Sequence, residues 1–273
     1  MSLCWLEIKR VCKSASYIAA VAVLVLFAYF QDVLPPPELI SAPGVQVEND
    51  LARHVVAAED YALIRDVDRF SGAHARLFAS RIGSVLAVLC AFPAAALFLH
   101  DRHGSRVAVY ARQASSWKLA LSRYAALVVA MFLPVAVMAL TLTCVAAMDY
   151  GVGNVDLLSY SKYALFWLLP TIMLSTGVGM LPAALGLPLG PLLTLLWGWM
   201  ARSAPAFSYG SLLAPRHEAL GETARFLEGL GELACGRAAA ALLGLALLLL
   251  TALAVEWKRR GRGYVLLCRS HAA

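Results

Sequence analysis

Residues 237–255 are almost pure alanine and leucine, and they end at Glu256-Trp257-Lys258-Arg259-Arg260. As a helix rising about 1.5 Å per residue, a run of that length matches a bilayer core of roughly 30 Å. Similar runs occupy residues 16–30, 82–99, 125–148 and 163–185, and a shorter one occupies 187–200. The chain is 61% hydrophobic and 15% charged, with a mean hydropathy of +0.72, which is too apolar for one water-soluble core. In lipid every backbone N–H and C=O must bond within the protein, so runs this long are read as helices. The expected fold is therefore all-α, a polytopic membrane protein with six transmembrane helices. Pro93 and Pro134 should kink the second and third spans, and the fourth carries Pro170 and Pro182. Residues 187–200 are short for a span, so a very tight turn at Gly186 and Pro188 is expected, with the fifth helix lengthened by its neighbours.

The net charge of +6 and pI near 9.1 would suggest nucleic acid in a soluble protein, but here the sign follows from position. Residues 1–15, 100–124 and 256–273 hold 13 of the 23 Lys and Arg, and only Glu7, Asp101 and Glu256 of the 17 acids. Positive charge resists translocation, so these three segments are read as cytoplasmic, with both termini on that side. No basic and aromatic patch argues for nucleic acid. Cys4, Cys12, Cys90, Cys144, Cys235 and Cys268 are scattered without a CxxC spacing, which supports neither a disulfide framework nor a zinc site.

Residues 1–14 mix Trp5, Leu6, Ile8 and Val11 with Glu7, Lys9, Arg10 and Lys13, the pattern of an amino-terminal interfacial helix. No small-residue cleavage site follows 16–30, so an uncleaved first span is expected, stopped by Pro35-Pro36-Pro37. In the outside segment 38–81, Asn49 or Asp50 is placed to cap an amphipathic helix through Leu51, Val55, Tyr61, Ile64, Val67, Phe70, His74, Leu77 and Phe78. It is expected to pack plainly on the membrane helices, or else to lie on the outer membrane surface or over the mouth of a pathway. In 203–235, residues 212–220 and 223–233 are expected to form short re-entrant outer helices, because a single crossing would bury several acids. No internal repeat or linker divides the chain, so residues 1–273 are read as one transmembrane domain.

The chain offers no catalytic or metal-ligating set. The apolar cores of the spans hold no ionisable residue, which argues against a proton relay. His217-Glu218 lacks the second histidine of a metalloprotease helix, and His100 and His103 have no third ligand nearby. Gly151-Val152-Gly153 and Gly177-Val178-Gly179 lack a nucleotide-binding context, and Ser175 and Thr176 read as helix-bonding hydroxyls. No GxxxxGK[ST] sequence occurs, so any ATP-driven work needs a second polypeptide.

Between the second and third spans runs Asp101-Arg102-His103-Gly104, then Val109-Tyr110-Ala111-Arg112-Gln113-Ala114-Ser115-Ser116, then Lys118 and Ser122-Arg123-Tyr124. With the layout of spans around it, this stretch resembles the permease subunits of bacterial ABC exporters of the ABC type-2 class, with Asp101 where glutamate is usual and Ala114 where proline is common. The resemblance implies a bacterial inner-membrane permease. Residues 1–15 would be an elbow helix, and residues 104–117 a coupling helix gripped by a separate ABC ATPase that binds ATP and magnesium; this chain itself would hold no cofactor. Asp101, Arg102, Arg106, Tyr110, Arg112 and Trp117 would couple to that ATPase. A second permease copy or a related permease would complete a pathway lined by Phe92, Leu195, Trp197 and Trp199, suited to an amphipathic or hydrophobic cargo such as a peptide antibiotic, lipid or drug. Two other classes fit the residues: a membrane scaffold that moves nothing, and a lipid-headgroup enzyme using His54, Asp60, His74, His217 or Glu218.

Overall fold

The computed structural model describes residues 3–30, 39–41, 53–55, 57–100, 115–203 and 205–259. The amino-terminal helix α1 (Leu3–Cys12) meets α2 (Ala15–Phe30) at a bend of 63°. Ser14 makes that corner: its hydroxyl donates to the Val11 carbonyl at 2.7 Å and accepts from the Tyr17 amide at 3.3 Å, capping α2. Strands β1 (Leu39–Ser41) and β2 (Arg53–Val55) pair in parallel, Leu39 opposite Arg53.

Next comes one long helical run, Ala58–Leu99, made of α3 (Ala58–Leu63), a π-helical turn (Ile64–Asp68), α4 (Arg69–Leu89) and α5 (Ala91–His100). This is packing on the membrane helices and not an amphipathic helix lying on a surface. Asn49 and Asp50 lie outside the described residues, the helix starts after Ala57, and its middle enters the bundle. Ser71, Gly72, Ala73 and Ala75 are small, so neighbouring elements close around residues 70–80 and bury them almost all round. The sequence pattern counts only the large apolar residues and misses this. Pro93 acts as expected: lacking an N–H to bond the Leu89 carbonyl, it leaves a break at Cys90 between α4 and α5.

Helix α6 (Ser116–Tyr150) follows, capped by Ser115 and continuous through Pro134. After a 3-10 turn (Val152–Asn154) come α7 (Ser159–Tyr163), a second π-helical turn (Ala164–Leu168) and α8 (Leu169–Leu185). The tight turn forms as expected. Gly186 takes φ 106°, and the Gly186 and Leu187 amides both return to the Pro182 carbonyl. Helix α9 (Leu189–Arg202) has 14 residues, about 21 Å, the length of the 187–200 run moved two residues on, so the expected lengthening does not occur.

The segment expected to hold two short outer helices is built differently. Residues 212–220 carry β4 (Arg216–His217), antiparallel to β3 (Phe207–Ser208), and residues 223–233 begin the 37-residue α10 (Thr223–Arg259). At roughly 55 Å, α10 exceeds any bilayer core, so its first turns carry Glu228 and Glu232 in exposed positions and no acid needs burial.

Among the described residues, four helical runs are long and apolar enough to cross a membrane: Ala58–Leu99, Ser116–Tyr150, Val152–Leu185 and Thr223–Arg259. A fifth is added if the bent α1–α2 pair counts as one, while α9 falls short of the length. Helix α8 sits centrally, touching α4, α5, α6, α9 and α10. Its glycines permit this: a Cβ on Gly177 would lie 2.9 Å from Leu247, and one on Gly179 2.7 Å from the Ala91 carbonyl. Leu24, Ile82, Leu86, Met131, Trp167 and Ile172 fill one apolar core, and Phe98, Leu127, Met180, Leu248 and Val255 fill another nearer the amino-terminal end.

Candidate functional site

At the end of the bundle that carries α1, three basic residues tie neighbouring helices together. Arg123, buried near the start of α6, lies 3.7 Å from the Glu7 carboxylate of α1, with its guanidinium 5.0 Å from the centre of the Phe98 ring on α5. Two turns of α6 earlier, the buried Ser116 hydroxyl donates to Glu256 of α10 at 2.5 Å and accepts from Arg259 at 3.2 Å. Lys258 donates to the Ala184 carbonyl at the end of α8, where the helix dipole favours a cation. Helices α1, α6, α8 and α10 are thus joined at this end by charged contacts.

Of the residues placed on the coupling loop, Asp101, Arg102, Arg106, Tyr110 and Arg112 lie outside the described residues. Trp117 is described. It projects from the first turn of α6 and is half exposed, beside the buried and doubly bonded Ser116. Phe92, Leu195, Trp197 and Trp199 are all exposed on the outside of this single bundle, Trp199 by 72%. The opposite face of α9 is consumed by packing. A Cβ on Gly190 would meet Gly179, one on Gly198 would meet Val88, and Thr194 is buried between them.

At the other end of the bundle the structure shows a feature that the sequence does not announce. Arg76 is 0% exposed and pairs with Asp68, donates to the Thr223 hydroxyl at 3.1 Å, and lies 4.6 Å from the centre of the Phe226 ring. Arg237, 2% exposed, donates to the Thr171 hydroxyl and to the Ser211 and Leu212 carbonyls at 2.5–3.0 Å. It holds the loop before β4 against the bundle. His217 is fully buried, with Tyr209 hydroxyl 2.8 Å from Nδ1 and Ser80 accepting from its amide. Burial, and then the positive charge of Arg76, push His217 down to about 3, so its ring is neutral at physiological pH. His74 is buried as well, 2.9 Å from the Tyr150 hydroxyl. Both rings are buried, each with one nitrogen beside a tyrosine hydroxyl. Ser175 bonds the Ala87 carbonyl across two helices at 2.8 Å, the helix-joining role expected of it, whereas the Thr176 hydroxyl has no partner among the described residues.

Backbone strain concentrates at this same end. Arg69 has φ 61° and ψ 159°, a region almost reserved for glycine that costs other residues about 1–3 kcal/mol, and Glu222 has φ 58°. Both flank the Asp68–Arg76–Thr223 contacts, and the two π-helical turns, Ile64–Asp68 and Ala164–Leu168, lie close by. A sequence signal for any of this is faint: only the unusual density of small residues around Arg76 sets 70–80 apart from a solvated face.

An apolar trough between the ends of α8 and α10, lined by Leu181, Leu185, Leu250, Leu253, Ala254 and Trp257, is open along its length.

Comparison of the chain with family models, with curated proteins and with solved structures finds no match. The fold and its apolar helical runs define a helical, multi-pass membrane protein.

Proposed function

We propose that the chain is the membrane-spanning subunit of an ATP-driven exporter. The basic end would face the bacterial cytoplasm, and hydrolysis by a separate ATPase would drive export of an amphipathic or hydrophobic molecule. The observation that carries this reading is the anchoring of the loop's exit. Residue 116 is bonded to α10, and residue 123 to α1, while Trp117 beside them stays exposed. A soluble partner that grips residues 101–117 would therefore act on three helices at once instead of dragging a slack connection. Such a rigid-body change is how packed bundles respond to a pull at one end. The exposure of Phe92, Leu195, Trp197 and Trp199 supports a pathway that lies between this chain and a second permease rather than within one copy.

The test is copurification. Affinity-tagged chain, extracted from a bacterial membrane in mild detergent, is expected to bring down a nucleotide-binding subunit with magnesium-dependent ATP hydrolysis. Alanine at Arg106 and Tyr110 should lose that subunit without lowering the amount of folded chain. An eluate that holds the folded wild-type chain and no ATPase overturns the proposal.

A further inference from the structure

The strained backbone and the buried ion pair at the distal end share one geometry. Asp68 is the last residue of the π-helical turn, and Arg69, with φ 61°, follows it directly. The Asp68 carboxylate folds back over the next turn to reach Arg76, and the room for it comes from Gly72. A Cβ built there would lie 2.4 Å from Asp68 Oδ1 and 2.6 Å from its carboxyl carbon. At the far end of the same short segment, Asp60 accepts the Glu222 amide at 2.8 Å. Glu222 is itself the other strained residue, and Thr223 after it bonds Arg76. Residues 58–68 are thus gripped at both ends, by groups that belong to α4 and to the start of α10, and the grip closes over Phe226, His217 and Tyr209. The pivot is tied as well, since Arg69 donates to the Gly153 carbonyl at 2.5 Å.

We propose that residues 58–68 form a latched arm that pivots at Arg69, closing the distal end of the bundle while Asp68 holds Arg76 and opening it when that hold is released. The strain at Arg69 and Glu222 exists only in the closed state, so it biases the arm toward release, and the buried charge pair opposes it. The meaning of the arm as an exit gate rests on the export reading above; the two-state behaviour of the arm does not.

Hydrogen–deuterium exchange of the full chain in lipid nanodiscs, with no ATPase present, tests the arm by itself. Gly72→Ala is the decisive variant. Alanine at a helical position ordinarily protects, whereas a latch needs the space that the new methyl fills. Amides of 58–68 and 222–226 are expected to exchange about tenfold faster together in Gly72→Ala, equivalent to ~1.4 kcal/mol. Thr223→Val, which removes one bond to Arg76, should show a smaller acceleration in the same two segments, and Glu222→Gly, which relieves the positive φ and keeps the amide bond to Asp60, should slow both. Unchanged or slower exchange in Gly72→Ala, or acceleration confined to one segment, overturns the latch. Loss of the ATPase on copurification would remove the export reading and leave these exchange rates as they are.

Discussion

Gly190→Ala measures how tightly the short helix α9 is held, and with it the placement of Leu195, Trp197 and Trp199. The added Cβ would stand 2.7 Å from Gly179 Cα, 2.8 Å from the Val178 carbonyl oxygen and 3.0 Å from that of Gly179. All three are backbone atoms of the central helix α8, so no side chain can swing aside. Ordinary contact begins near 3.4 Å, so α9 must retreat by about 0.7 Å from α8. Overpacking of this kind costs about 1–3 kcal/mol. Taking about 2 kcal/mol, and about 2–4 °C per kcal/mol for a chain of this size, the melting temperature in detergent should fall by roughly 4–8 °C. Gly231→Ala is the matched control. Gly231 is exposed on α10 with nothing within 4 Å of a new Cβ, so the variant should gain about 0.8–1 kcal/mol from helix propensity alone. The assay is thermal unfolding of both variants followed by tryptophan fluorescence. If Gly190→Ala melts at or above the wild-type temperature while Gly231→Ala behaves as stated, the close docking of α9 on α8 is refuted.

Three further outcomes are expected. Glu7→Gln removes the carboxylate beside the buried Arg123 and should destabilise the chain by on the order of 3 kcal/mol, read as a lower melting temperature; Arg10→Gln, whose contact with Glu7 is 4.0 Å and partly exposed, should cost under about 1 kcal/mol. His217 has a folded pKa depressed to about 3 against 6.5 for the free side chain, so the unfolded state takes up its proton first and stability is lost as pH falls from about 6.5 toward 3. The loss reaches about 4 kcal/mol near pH 3.5, and chemical denaturation at pH 7, 5 and 4 should show a slope that His217→Gln flattens. Ser175→Ala deletes one interhelical bond to Ala87 and should cost only about 0.6 kcal/mol, leaving activity in place; abolition of activity with the fold intact would show a chemical role for that hydroxyl.

The long apolar runs were legible because the hydrocarbon core demands a fixed length of unbroken helix, and residues 125–148, 163–185 and 237–255 fall inside α6, the Val152–Leu185 run and α10. The turn at Gly186 was legible from its glycine and flanking prolines, and the break at Cys90 from Pro93 three residues on. The distal end was not. Arg76 and Arg237 have the composition of surface residues, and their partners stand at positions 68, 171, 211, 212 and 223, separations that match no helical or strand period. A burial that depends on positive φ at an arginine and a glutamate leaves no trace in a residue pattern, because neither type favours that conformation. At the basic end, Arg123 and Glu7 stood out by charge and position, but the tie between Ser116 and Glu256 links residues 140 apart and needed the fold.

The unequal division of the Ala58–Leu99 run at Cys90 has a mechanical consequence. Below the break α5 measures about 15 Å, and above it α4 extends about 32 Å to the pivot at Arg69. If Cys90 is a fulcrum, the two sides have lengths near one to two, so an ångström of sideways travel imposed beside residue 100 becomes about two at Arg69. A small stroke at one face of the bundle is thereby magnified at the other, with Pro93 setting the ratio.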